Sequence, residues 1–350
     1  MSDLDAYDYD LPRELIAQQP LRNRIDARLM VVDRASQSIA HHHVRDLPEI
    51  LSAGDCLVMN DSRVVPARLV GFRTETRGRW QGLFLRSDSA TGCWEVLSKT
   101  RGKLKPGDQL SVQDRNARES LTLTVLARTE EGHAIVRPEQ AGEAADLLEQ
   151  YGRIPIPPYI RDGQMVDSDV ADYQTVYARH RGSVAAPTAG LHFTKELFES
   201  LHRVGVTGHA VTLHVGLGTF RPIAADHLDE HQMHAEWGQI TAETAEALNA
   251  AHDAGRRRIA IGTTSVRVLE SAADERGRLS AWTGMTDLFI KPGYQFRAVD
   301  ALMTNFHLPR STLLVLITAL AGRELIRRAY AEAIEQRYRF YSYGDAMLIL

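Results

Sequence analysis

RIAIGTTSVRVLES, Arg258 to Ser271, is a short apolar run that stops on a glycine and three hydroxyl residues and then changes period. Val266 and Leu269, three apart, belong to one face of a helix, so the stretch reads as strand, polar corner, helix. The same grammar continues upstream. Thr194 is placed to cap a helix with the apolar stripe Leu197, Phe198, Leu201 and Val204; Gly205 ends it, and VTGHAVTLHV (206–215) follows as a strand. Thr241 opens another helix with Ala245 and Leu248 inward, stopped by Gly255 just before RIAIG. Downstream, TDLFI (286–290) and DALMT (300–304) read as strands, with a helix from Ser311. ARLMVVDR (27–34) and CLVMN (56–60) are further strands, preceded by a helix-like opening. Such alternation predicts an α/β fold, a mostly parallel sheet or α/β barrel-like main domain flanked by helices.

Between Arg68 and about Ala134 the grammar changes. ARLVGFR, WQGLFLR, CWEVLSK, KPGDQLSV, LTLTVLA and HAIVRP are short alternating strands punctuated by Gly and Pro, with no helical period between them. That spacing predicts a small closed antiparallel β-barrel. The proline-dense IPIPPYI (154–160) makes a hinge back to the main domain. The expected organisation is residues 1–66 and 153–350 as the main domain, with 67–152 as the inserted barrel.

At 350 residues the chain can bury enough surface without covalent staples. Its two cysteines, Cys56 and Cys93, form no CxxC pair and read as free thiols of a reducing compartment. The acidic start MSDLDAYDYDLP lacks the pattern of a secretory signal, and the longest apolar run, Leu313 to Ala321, is about half a bilayer span. The expectation is a cytoplasmic protein. A net charge of −4 conceals a basic stretch: Arg68 to Arg118 carries eleven Lys or Arg against five Asp or Glu, suited to a polyanion or simply to water.

The corners between elements hold the candidate chemistry, because strand ends fix loop residues while leaving their polar groups uncovered. TLHVGLGTFRP (212–222) places Gly216 and Gly218 where backbone amides can approach a phosphate, but it lacks the third glycine of a dinucleotide turn. Thr263, Thr264 and Ser265 offer hydroxyls and helix N-terminal amides to an anionic or polar group. Arg267, in that helix's first turn, opposes the dipole and reads as a substrate contact. His192, His214, His231 with His234, and His307 sit at corners, where imidazoles can exchange protons. His231, His234 and Glu236 superficially resemble metal ligands, which keeps a metal-dependent hydrolase open as one alternative and a non-catalytic RNA-binding module as another. No GxSxG, GxxxxGK[ST] or HExxH occurs.

DYDLPRELIAQQP, GDCLVMNDSRVVPARL, YQTVYARHRGSVAAPTAGLHFT, VTLHVGLGTFRP, EHQMHAE, GTTSVRVLES, DLFIKPGYQFRAVDALMTNFHLPRSTLLVL and YRFYSYGDAMLIL together span Asp8 to Leu350. In these stretches the chain closely resembles the S-adenosylmethionine:tRNA ribosyltransferase-isomerases of the queuosine pathway. It departs from the family's usual pattern in the insertion, where it reads GRWQGLFLR. The resemblance implies an α/β barrel-like domain interrupted by a β-barrel, with no metal or bound cofactor and S-adenosylmethionine as co-substrate. The implied reaction moves the ribosyl part of S-adenosylmethionine to 7-aminomethyl-7-deazaguanine in a tRNA anticodon arm. For that chemistry His214 or His307 is the expected base or acid. The 263–265 hydroxyls are expected around the ribose or methionine end, Arg221, Arg267 and Lys291 on RNA phosphate, and His192, Gly216, Gly218, Thr219 and Asn305 as further substrate-binding residues. Further phosphate contacts are expected from Arg179, Arg181, Arg310, Arg327 and Arg328, with Tyr294, Phe296, Phe306 and Tyr341 available to stack on a base. A monomer is expected.

Overall fold

The computed structural model describes residues 3–88, 90–118, 120–216 and 227–350. Two compact units divide the chain: Met1–Arg63 with Pro157–Asp162 and Ala171–Leu350, and Val64–Ile156 with Gly163–Val170. Strands run in chain order as β1 (Arg28–Asp33), β2 (Ser38–His43), β3 (Cys56–Asn60), β4 (Ser62–Val64), β5 (Arg68–Arg73), β6 (Arg79–Ser87), β7 (Trp94–Thr100), β8 (Gln109–Gln113) and β9 (Ser120–Arg128). They continue as β10 (Ala134–Pro138), β11 (His180–Ser183), β12 (Thr207–Leu213), β13 (Glu236–Ile240), β14 (Arg258–Ile261), β15 (Trp282–Thr286), β16 (Ala301–Asn305) and β17 (Ala346–Ile349). The helices are α1 (Leu47–Ile50), α2 (Ala144–Tyr151), α3 (Asp169–Asp172), α4 (Lys195–Arg203), α5 (Ala242–Asp253), α6 (Thr263–Ala272), α7 (Thr312–Ala321) and α8 (Arg323–Glu335).

The first unit holds a nine-stranded sheet in the order β15-β13-β12-β3-β14-β16-β17-β1-β2. Its centre, β12-β3-β14-β16, is parallel, as the alternation predicted. The sheet is mixed: β13 pairs antiparallel with β12 and β15, β17 with β16 and β2 with β1, while β1 runs parallel to β17. A single crossover helix returns the chain so that the next strand runs parallel. Two successive helices, α7 and α8, separate β16 from β17 and reverse the chain once more. At the end of β3, Asn60 prolongs the ladder with its side chain, donating to Leu213 O at 2.9 Å and accepting from Leu213 N at 3.0 Å.

The expected caps form. Thr194, Thr241 and Ser311 each accept from the amide three residues on at 3.2 Å, and Gly205 and Gly255 end their helices at φ 83° and 69°. Two expectations are corrected. The opening is a series of short 3₁₀ turns at Asp3–Tyr7, Arg13–Leu15 and Arg24–Asp26, not a helix. TDLFI is not a strand, since β15 ends at Thr286. With alternate residues open to water, β15 needs no apolar run, whereas the apolar Leu288, Phe289 and Ile290 pack on the core without strand pairing.

The second unit contains a closed barrel, β10-β7-β6-β5-β8-β9. Alternation along β9 buries Leu121, Leu123 and Val125 against Trp80, Trp94 and Val136. The Trp80 ring lies over Gly82, where a Cβ would come 2.3 Å from the indole, which gives the glycine in GRWQGLFLR a packing reason. Gly71 on β5 is tighter still, because a Cβ there would sit 2.0 Å from the backbone oxygen of Ser111 on β8. Backbone cannot swing aside as a side chain can. Gly71→Ala is therefore expected to destabilise the protein by about 1–3 kcal/mol, read as a lower urea midpoint. No helix among the described residues is long and apolar enough to cross a membrane.

Candidate active site

The parallel strands β14 and β16 end side by side, and their following loops line one cleft with Tyr159, Thr188, Gly262, Thr263, Thr264, Thr304, Asn305, His307, Ser311 and Tyr341. Gly262 makes the turn from β14 into α6 at φ 86°, a conformation that costs side-chain-bearing residues. Tyr341 holds φ 69° without being glycine, a strained backbone placed at the cleft wall. This is the position expected for a site in an α/β sheet, beyond the carboxyl ends of parallel strands.

His307 is buried in that wall. Its Nε2 bonds Thr304 Oγ1 at 2.9 Å, its amide donates to the Tyr330 hydroxyl at 2.9 Å, and its carbonyl accepts from the Tyr9 hydroxyl. Burial pushes its imidazole down to about 3. When Nε2 carries the proton and donates it to Thr304, Nδ1 presents a lone pair. Asn305 lies beside it, accepting from Thr188 Oγ1 at 2.8 Å and bonding Tyr341 O and His192 Nε2, each at 3.2 Å. His192 thus meets the site through Asn305 and lines a separate small hollow with Arg24 and Arg339. Its imidazole is also pushed down to about 3, chiefly by burial and further by the two guanidinium groups.

These two depressed histidines set a pH dependence of stability. In the unfolded chain each takes up a proton below about pH 6.5. In the fold each resists protonation until about 3. The unfolded state binds more protons in that window, so stability is full above about pH 6.5. It falls as pH drops, by up to about 1.4 kcal/mol per unit per histidine. Urea midpoints measured from pH 7 to 4 are expected to decline steeply in the wild type and less steeply in His192→Gln.

The other sequence candidates divide. Thr263 and Thr264 line the cleft, whereas the Ser265 hydroxyl is turned back to Ile261 O at 2.9 Å. Arg267 is buried in an ion pair with Glu236 and donates to Thr286 O at 2.8 Å, away from the cleft lining. Gly216 gives its amide to the other oxygen of Glu236 at 2.7 Å. Lys291 pairs with Asp229. His214 is stacked on Trp237 at 5.0 Å, and its Nδ1 is buried with no bond among the described residues. Burial lowers its affinity for a proton, His180 adds to this and Asp61 opposes it. His214 does not line the cleft that His307 lines. Gly218, Thr219 and Arg221 fall outside the described residues.

The metal alternative loses its geometry. His231 and His234 lie in irregular chain and Glu236 opens β13, so no shared helix aligns them. Among the described residues, the His and carboxylate group with ligand-like spacing is Glu95, Glu131 and His133 in the second unit. There the Arg86 guanidinium bonds Glu95 at 2.7 Å.

Tyr159, Thr188 and Thr304 reach the cleft although the sequence did not single them out. Tyr159 belongs to the proline-dense stretch read as a hinge; its hydroxyl bonds Ser342 at 2.8 Å and its ring meets Tyr341 at 4.8 Å. An aromatic inside an otherwise extended proline run is the only local signal it offers.

The queuosine biosynthesis protein family matches residues 4–349. An S-adenosylmethionine:tRNA ribosyltransferase-isomerase of Symbiobacterium thermophilum is 51% identical, covering 99% of both chains. The protein of the same description from Natranaerobius thermophilus is 47% identical, again over 99% of each. A crystal structure of S-adenosylmethionine tRNA ribosyltransferase from Thermotoga maritima is similar at 36% identity and TM-score 0.56, covering 99% of this chain and 100% of that one. With its cleft at the ends of parallel strands and its inserted barrel, the chain belongs to the S-adenosylmethionine:tRNA ribosyltransferase-isomerase family of queuosine biosynthesis.

Proposed function

We infer that the protein transfers and isomerises the ribosyl part of S-adenosylmethionine onto 7-aminomethyl-7-deazaguanine in tRNA, giving epoxyqueuosine-tRNA, adenine and methionine. The observation that carries this reading is 51% identity to a relative of that activity over 99% of the chain. The positively charged sulfur acidifies the neighbouring C5′ hydrogens, so a positioned acceptor can remove one, and adenine departs as the ribose opens. His307 supplies that acceptor. Its buried ring stays neutral, so it holds no imidazolium proton for adenine; the assignment as acceptor rests on its place in the cleft and on the Nδ1 lone pair left when Nε2 donates to Thr304. Asn305 and the hydroxyls of Thr263 and Thr264 hold the ribose and methionine parts.

Exposed basic residues meet the phosphates of the tRNA anticodon arm, among them Arg179, Arg181, Arg327 and Arg328 in the first unit and Arg101 and Lys103 in the second. Half-buried Tyr294 and Phe296 are better placed to stack on a base than Phe306, which is wholly buried among Tyr330, Tyr338 and Phe340. The protein works as a cytoplasmic monomer. The test is release of adenine from S-adenosylmethionine in the presence of tRNA carrying the modified base; release dependent on both substrates supports the reading, and none overturns it. Steep weakening of tRNA binding with salt is the companion measurement.

A further inference from the structure

We propose that the N-terminus of α6, together with the Thr264 hydroxyl, seats the carboxylate at the methionyl end of S-adenosylmethionine; this rests on the function just inferred and names one subsite within it. α6 begins on Gly262, which has no side chain to cap it, as α8 begins on Gly322, whereas α4, α5 and α7 begin on side-chain caps. The helix's own bonding starts with Ser265 N and Val266 N, which both reach Gly262 O. The amides of Thr263 and Thr264 precede it, at the positive end of a ten-residue helix.

The second observation is independent of the helix. Thr264 is 7% exposed and lines the cleft, yet its Oγ1 is buried without a hydrogen-bond partner among the described residues. Buried hydroxyls are nearly always paired, so an unpaired one on a residue that lines a cleft calls for a partner from outside the chain. Of the neighbouring hydroxyls, Ser265 bonds Ile261 O, Ser311 bonds Leu308 O and Leu314 N, and Thr188 bonds Asn305, which leaves Thr263 and Thr264 at the helix start for a ligand.

The helix N-terminus, not side-chain charge, favours an anion here. Among the described residues, the cleft lining contains no Asp, Glu, Lys or Arg. A carboxylate therefore meets no repulsion and no cationic side chain, and a helix N-terminus with a hydroxyl donor is the compensation the lining provides. Arg267 sits in the same helix but its charge is matched by Glu236. Of the parts of S-adenosylmethionine, the methionyl carboxylate is the anion; an RNA phosphate is the competing source.

Calorimetric titration with S-adenosylmethionine and with its decarboxylated analogue, on wild type and Thr264→Val, separates the cases without requiring turnover. Loss of a hydrogen bond to a charged group predicts roughly 10- to 100-fold weaker binding of S-adenosylmethionine by the variant. The analogue is expected to bind wild type weakly, and the substitution to change its binding little. An equal loss for both ligands, or weakened tRNA binding with unchanged S-adenosylmethionine binding, overturns the proposal, the latter by assigning the anion to RNA. Should Thr264→Val fail to fold, wild type binding both ligands equally well overturns it, and a large preference for the carboxylate form with full binding by Thr264→Ser supports it. Wild-type adenine release, assayed separately, reports on the function and not on this subsite.

Discussion

Replacing His307 by alanine is expected to lower adenine release at saturating substrates by about 10²- to 10⁴-fold, the usual worth of a positioned base. His214→Ala is expected to cost far less, because that ring is stacked on Trp237 outside the cleft lining. His307→Gln retains a group able to bond Thr304, so an unchanged circular dichroism spectrum with lost turnover separates chemistry from folding. Since burial holds the imidazole down to about 3, kcat/KM should show no acid limb near the ordinary histidine range. Near-normal turnover in His307→Ala would remove it from the reaction.

Glu236→Ala is expected to destabilise the protein by about 3–5 kcal/mol, because it strands the buried guanidinium of Arg267 without its counter-charge. The same change frees the Gly216 amide. Both partners are 3% exposed, so water cannot take over the lost pairing. Glu236→Leu with Arg267→Met removes both charges together and should recover most of the loss, since a buried ion pair is often no more stable than apolar residues of similar volume. Thermal or urea unfolding of the two variants measures the difference. Unchanged tRNA affinity in the double variant would mark Arg267 as structural, whereas a clear loss would restore the phosphate contact its position in the helix suggested.

These outcomes bear on what a one-dimensional reading can see. The β-then-α grammar was legible because parallel strands and their crossover helices carry strong, regular apolar periods, as RIAI and the α6 stripe do. The inserted barrel was legible because its alternation changes from period 3.6 to period 2. β13 was not read, for its pattern Glu-Trp-Gly-Gln-Ile buries a charged residue that becomes tolerable only once Arg267 faces it. Arg267 itself looked like a substrate contact, because opposing a helix dipole is unfavourable unless a distant carboxylate supplies the reason.

Sequence by itself determined the family, the inserted barrel, the capped helices and the run of hydroxyls at the end of β14, because each is written in local spacing and residue type. Only the tertiary structure decided that His307 and Thr264 share a cleft with Tyr159 and that Ser265 turns away from it. It also decided that His192 bonds Asn305 from behind the cleft lining and that His214 stacks outside it. Those distinctions depend on the direction of individual side chains and on burial by segments more than 100 residues away, such as Tyr159 against Tyr341. Burial by distant partners is a property of the packed chain, and it is burial that keeps a corner histidine neutral and leaves the Thr264 hydroxyl without a partner among the described residues.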